Sequence, residues 1–282
     1  MKRFLGILLG ITLIFTLCGC NSEKKSDKKI IAVSIVPQAT FVEKVCGDEY
    51  EIVTMIPPGA SAETYEPTIP ELAQLESAEL YFAIGVQAEK NVVLPSIKDK
   101  EKIVELHTAT EKVYQPVTID GERDPHLWLS PKRVKVMVQK IADALCKLNP
   151  NNSEKYKKNA EQYCQELTDL DKEITLLFTN KQNRKFMVFH PAFGYIAEDY
   201  SLEMYALEEH GKEADAKHLS EMTDLAKKEN IKTVFYQAET SGRQAETFAE
   251  EIGGKAVELN PLSPDYIENM RALTKALSEA MK

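Results

Sequence analysis

Cysteine, histidine and tryptophan are scarce in this chain of 282 residues, at five, five and one. Cys18 lies in the N-terminal leader and Cys20 directly after it. The remaining three, Cys46, Cys146 and Cys164, are an odd number, which excludes a complete disulfide framework. Cys146 precedes the Asn149-Pro150 break by about one turn and Cys164 follows it by about three, so a helix pair would hold them at different levels, unbridged. Small buried apolar side chains are the expected role for all three. An excess of basic charge is also lacking: 35 Lys and Arg face 44 Asp and Glu, for a net charge of -9. With no basic patch to overcome that balance, a nucleic-acid partner is excluded. Neither a phosphate-binding Gly-rich loop with Lys and Ser/Thr, nor a His-Glu-x-x-His helix, nor a Gly-x-Ser-x-Gly elbow occurs.

The leader itself has three parts. Lys2 and Arg3 precede an apolar run from Phe4 to Leu17, followed by Cys18-Gly19-Cys20. Its 14 residues fall short of the ~20 a membrane span needs, so residues 1–19 are expected to be a signal peptide. The small residues ending in Cys20 resemble a bacterial lipobox, which implies cleavage before Cys20 and lipidation of its thiol. Residues 20–29 would then be a lipidated flexible tether, because Asn21 to Lys29 contains nothing to bury.

Beyond the tether, strand-like and helix-like runs alternate. Ile30 to Val36, Ile52 to Ile56, Leu80 to Ile84 and Ile103 to Leu106 read as strands, with helices at Ala39 to Val45, Glu71 to Ser77 and Pro131 to Leu148. The pattern resumes with strands at Lys185 to Phe189, Leu202 to Leu207, Ile231 to Tyr236 and Lys255 to Leu259, and helices near 218–229, 241–252 and 264–281. Such alternation predicts an α/β fold of two lobes, each with a central, mainly parallel sheet flanked by helices. The lobes are expected at 30–150 and 183–282, joined by one long rigid backbone helix within 151–182. There Tyr156, Ala160, Tyr163, Leu167, Leu170, Ile174 and Leu177 form an apolar seam at alternating spacings of four and three. The seam suits a brace behind both lobes.

Two histidines stand out by context. His126 lies in Asp124-Pro125-His126-Leu127-Trp128, just before the helix that starts at Pro131, and His190 follows the strand Phe186 to Phe189. The carboxyl end of a strand is where open α/β sheets bind ligands. The loop Pro57 to Pro67, carrying Glu63, also follows a strand. His107, ending a strand, and His210 and His218, flanking an acidic loop, read as structural or solvent-facing, and Glu208 and Glu209 as loop charges. Tyr195 reads equally as pocket wall or packing.

Taken together, Tyr65-Glu66-Pro67, Asp124-Pro125-His126 with Trp128, Phe189-His190-Pro191-Ala192, Gly253 and Leu259-Asn260-Pro261-Leu262 resemble the metal-binding solute-binding proteins of bacterial ABC importers. The resemblance spans the mature chain. It implies a metal set of Glu63, His126, His190 and Asn260, with two departures from the family: Glu63 where a histidine is usual, and Asn260 where an acid is usual. One carboxylate is kept, moved to the other lobe, and water or Glu239 offers an alternative fourth ligand. Two imidazoles and a carboxylate suit Zn(II), the expected transported ion, with Mn(II) as the alternative. The implied function is extracytoplasmic capture of that ion at the lobe interface and delivery to an ABC permease and its ATPase, by a monomer anchored through lipid to the outer face of the cell membrane. A zinc hydrolase using the same two-His one-Glu set is the rival from another class, and a placed general base is what it lacks.

Overall fold

The computed structural model describes residues 28–119, 121–208, 215–240 and 242–281. The expected signal peptide, Cys20 and all of the tether except Lys28 and Lys29 lie outside them, as does His210. Among the described residues no helix is long and apolar enough to cross a membrane, and Cys46, Cys146 and Cys164 are free thiols.

The first lobe runs β1 (Ile30–Val33), α1 (Val36–Cys46), β2 (Glu51–Thr54), α2 (Ile69–Ser77), β3 (Leu80–Ala83), the single turn α3 (Leu94–Ser96), β4 (Ile103–Glu105) and α4 (Leu106–Glu111). Its four strands are all parallel, in the order β2-β1-β3-β4. A two-residue-per-strand hairpin, β5 (Thr118–Ile119) and β6 (Glu122–Arg123), leads into α5 (Pro131–Leu148). Pro131 opens α5 and the Ser130 hydroxyl accepts from the Arg133 N–H, satisfying a donor that the helix itself leaves free.

The helix α6 (Ser153–Thr179) then carries the chain to the second lobe: β7 (Lys185–Val188), α7 (Gly194–Asp199), β8 (Glu203–Ala206), α8 (Ala216–Lys228), β9 (Thr233–Gln237), α9 (Arg243–Glu251), β10 (Lys255–Leu259) and α10 (Tyr266–Ala280). Here too the strands are parallel, in the order β10-β9-β7-β8. The two sheets therefore share one architecture, and one long helix joins them.

At ~1.5 Å per residue, the 27 residues of α6 reach ~40 Å. Its buried face packs on α5 and α1 of the first lobe and on α10 of the second. One hydrophobic core runs through both lobes: Val33, Phe41, Met137 and Leu145 from the first belong to the same cluster as Phe186, Val188, Tyr266 and Leu273 from the second, with Leu167 and Leu170 of α6 between them. The seam departs from expectation at its last position, where Phe178 is buried and Leu177 only half so. A straight helix at 3.6 residues per turn drifts ~20° per heptad against a strict 3.5 repeat, so after three heptads the inward position has moved on by one residue.

Three local features differ from the sequence-based expectation. The β5-β6 hairpin and α7 were not anticipated, because two-residue strands and a six-residue helix are too short to show a period. His107 stands in the first turn of α4 rather than at the end of a strand.

Candidate metal centre

Each candidate ligand is delivered by a loop whose start is fixed by the sheets. Glu63 lies in the loop after β2, where its N–H donates to the Ser61 hydroxyl. His126 follows the β5-β6 hairpin and leads into the tight turn Leu127–Leu129 before α5. His190 comes two residues after the end of β7. Leu207 N–H donates to Val188 O and Glu208 N–H to Phe189 O, so the β8 end brings Glu208 beside His190.

Glu63, His126 and His190 converge. One ligand atom from each lies within 4.8 Å of the others, and the two imidazole centroids are 5.3 Å apart. Both histidines are over nine-tenths buried, while the Glu63 side chain is half-exposed. Nε2 of His190 is 2.8 Å from Oε1 of Glu63. Among the described residues these three form the group of histidine, cysteine and acidic side chains close enough to share an ion, and neither His107 nor Glu239 belongs to it.

Behind each imidazole stands a carboxylate. Nδ1 of His126 is 2.7 Å from Oδ1 of Asp124, which also accepts the His126 backbone N–H at 2.9 Å. Nδ1 of His190 is 2.6 Å from Oε2 of Glu208. With Nδ1–H donated backwards, Nε2 is left to face the shared point, the arrangement by which outer carboxylates fix tautomer and ring orientation at metal sites. The role of Glu208 was missed in the sequence, where it reads as one charge in an acidic loop. Trp128 flanks His126, its ring centroid 5.2 Å away.

The charges around His190 act in opposite directions. Burial alone pushes its pKa down, but the hydrogen bonds to Glu208 and Glu63 outweigh it and raise the value to about 9. The same bond to His190 holds the Glu63 carboxyl below its ordinary range, against the effect of burial. The His190 ring thus stands between two carboxylates, Glu208 at Nδ1 and Glu63 at Nε2. Burial and the nearby Arg123 lower the pKa of His107, which keeps that imidazole neutral and apart.

A cavity of about 310 Å³ opens beside the triad, lined by Glu63, His126, His190, Asp124, Lys90 and Arg123. At ~30 Å³ per water it leaves ample room for a fourth, solvent-derived ligand. Asn260 is exposed beyond the end of β10, where its Oδ1 accepts from Leu262 N–H and its carbonyl from the Asn269 amide. Glu239, raised in pKa by burial, has an Oε2 with no hydrogen-bond partner among the described residues and stands outside the triad.

A family model described as zinc-uptake complex component A, periplasmic (ZnuA), matches residues 31–280. The chain belongs to the ZnuA family. This ZnuA-family chain is 28% identical over 306 residues to the zinc-binding lipoprotein AdcA of Streptococcus pneumoniae (strain ATCC BAA-255 / R6), covering 99% of itself and 61% of AdcA. To the high-affinity zinc uptake system protein ZnuA of Bacillus subtilis (strain 168) it is 27% identical, with 98% and 96% covered. A crystal structure of ZnuA superposes with a TM-score of 0.84 at 34% identity, covering 91% of this chain and 100% of that one. The chain thus spans about three-fifths of the length of the AdcA relatives it matches. The matched family is described as one of zinc-uptake components, which speaks against the hydrolase alternative.

Proposed function

We propose that this protein captures Zn(II) outside the cytoplasm through Glu63, His126 and His190 and hands it to an ABC permease. The observation that carries the proposal is the convergence of the three side chains, from both lobes, within 4.8 Å, with the Nδ1 atoms of both imidazoles bound to carboxylates. Two imidazole nitrogens and a carboxylate oxygen suit zinc bonds of ~2.0 to 2.2 Å, with water from the cavity as fourth ligand. A nitrogen-rich set of this kind binds zinc ahead of manganese in the Irving-Williams order. The names of the AdcA and ZnuA relatives support the same ion.

Binding replaces the proton between His190 and Glu63 with the metal. The ion would tie β2 of one lobe to β7 of the other, and its release requires Glu63 and the imidazoles to separate. The chain's delivery role rests on membrane partners, a permease with its ATPase. We further propose lipidation at Cys20, with residues 20–29 as tether, 30–150 and 183–282 as the lobes and 151–182 as the connecting segment of a monomer.

Isothermal titration of metal-stripped protein with zinc tests the core of this reading. One equivalent should bind, and His126→Ala and His190→Ala should each abolish stoichiometric binding at micromolar zinc. Wild-type protein that takes up no zinc refutes it. Mass spectrometry of the membrane-extracted chain, compared with Cys20→Ala, tests the anchor.

A further inference from the structure

We infer that the first turn of α7, in the second lobe, positions the first-lobe ligand His126 by holding Asp124 from behind. The inference rests on the metal-capture proposal above and adds the residues that set its geometry: Gly194 and Tyr195.

Asp124 is 2% exposed and makes two contacts with His126 through one oxygen, so wherever Asp124 sits, the imidazole follows. Two residues of the other lobe fix that place. The Tyr195 hydroxyl, buried with its ring, donates to the Asp124 carbonyl at 2.9 Å. Gly194 meets the other carboxylate oxygen: a Cβ at this position would stand 2.5 Å from Asp124 Oδ2. That distance is shorter than real Cβ contacts, so only a hydrogen fits between α7 and the carboxylate. Among the described residues, Asp124 Oδ2 has no hydrogen-bond partner of its own. It is confined by shape, and Oδ1 is left to His126.

Tyr195 is in turn immobilised. The buried Arg133 guanidinium lies over its ring at 4.4 Å and donates to Asp199 Oδ1 at 2.9 Å, while the Ser130 hydroxyl donates to Asp199 Oδ2 at 2.5 Å. Ser130 and Arg133 open α5, which follows the His126 turn directly. Both ends of the segment 124–133 are therefore bonded to α7. Trp128 in the middle donates through Nε1 to Pro261 O and accepts from Tyr266 at its carbonyl, so the centre is tied to the second lobe as well. His126 is a first-lobe residue by sequence and a second-lobe residue by attachment. Gly194 and Tyr195 touch no ion, so they are positioning residues.

The test uses the whole mature chain, zinc titration and Co(II) as a spectroscopic probe, whose visible bands report coordination geometry. Tyr195→Phe removes the bond to Asp124 O and keeps the ring under Arg133, and Gly194→Ala pushes Asp124 Oδ2 from the other side. Each is expected to lower zinc affinity roughly 10- to 100-fold, the range found when outer partners of metal ligands are removed, and to alter the Co(II) bands. Thr40→Val breaks a different bond between the lobes, Thr40 Oγ1 to Pro264 O at 2.6 Å, and should change neither. Wild-type affinity and bands in both α7 variants overturn the inference, as does an equal change in Thr40→Val. Wild-type protein that binds neither zinc nor cobalt overturns the inference together with the capture proposal, whereas normal wild-type binding with unmoved variants sinks the inference alone.

Discussion

Glu63 and His190 meet across the boundary between the lobes, Oε1 to Nε2 at 2.8 Å, and Glu208 holds the other nitrogen of the same ring at 2.6 Å. His190 is thus bracketed by two acids, one from each lobe. Entry of a divalent cation must displace the proton that this bracket retains.

Zinc uptake should therefore release protons. At pH 7.5 the imidazole of His190, with its pKa raised to about 9, is protonated before binding and neutral after it. Calorimetric titrations in buffers of different ionisation enthalpy should show close to one proton released per zinc. A titration without buffer dependence would contradict the assigned state of His190.

Stability of the metal-free protein should respond to pH with a definite sign. His190 has a pKa above its ordinary value of 6.5 in the folded state, so its contribution is complete below about pH 6.5 and fades as pH rises through about 9. Melting temperatures of stripped protein should decline across that window, and His190→Gln should flatten the decline. Glu63, held low, works in the opposite direction, its contribution fading in acid below the ordinary carboxylate range.

Glu208→Gln should leave the fold intact and weaken zinc binding by roughly 10- to 100-fold, since the amide keeps the shape of the side chain and loses the charge that orients His190. Competition with a chromophoric chelator measures the change. Unaltered affinity would show that Glu208 serves only the metal-free state.

Asn260→Ala should spare zinc affinity. Its side-chain oxygen is committed to Leu262 N–H, so the expected cost is ~0.5 to 1.5 kcal/mol of stability, read by denaturant titration. Loss of metal binding in this variant would restore Asn260 to the ligand set.

Leu170→Ala in the buried seam should cost ~2 to 5 kcal/mol, because Leu170 is wholly buried in the core that both lobes share. The expected signature is a lower denaturation midpoint in a single transition, with one zinc still bound per chain. Two separated transitions would mean that the lobes unfold independently.

The sequence carried more of the sheets and of α6 than of the site. Long periodic elements declare themselves: the seam from Tyr156 to Ile174 defines a helix whichever residues it later meets, and only its end shifted, from Leu177 to Phe178. His126 and His190 were legible because each sits in a short, unusual string next to a helix start or a strand end. Glu208 was not. Nothing near it in the sequence distinguishes it from Glu209, and it becomes the partner of His190 only because β8 runs beside β7 and Glu208 N–H reaches Phe189 O. Gly194 was hidden for the same reason, and Tyr195, read equally as pocket wall or packing, did not declare its partner: both act on Asp124, 70 and 71 residues earlier in the chain. Asn260 was inferred by resemblance alone, and in the structure its Oδ1 accepts from Leu262 N–H.

The core shared by the two halves has a consequence for traffic at the membrane. A body whose interior is continuous resists clapping shut like a trap, so under the proposed function laden and vacant copies would offer a receptor nearly the same silhouette. Whatever distinguishes them must be local: a doubly charged ion in place of a single proton beneath the half-exposed Glu63. Sorting full carriers from spent ones then becomes a matter of electrostatic touch at one rim.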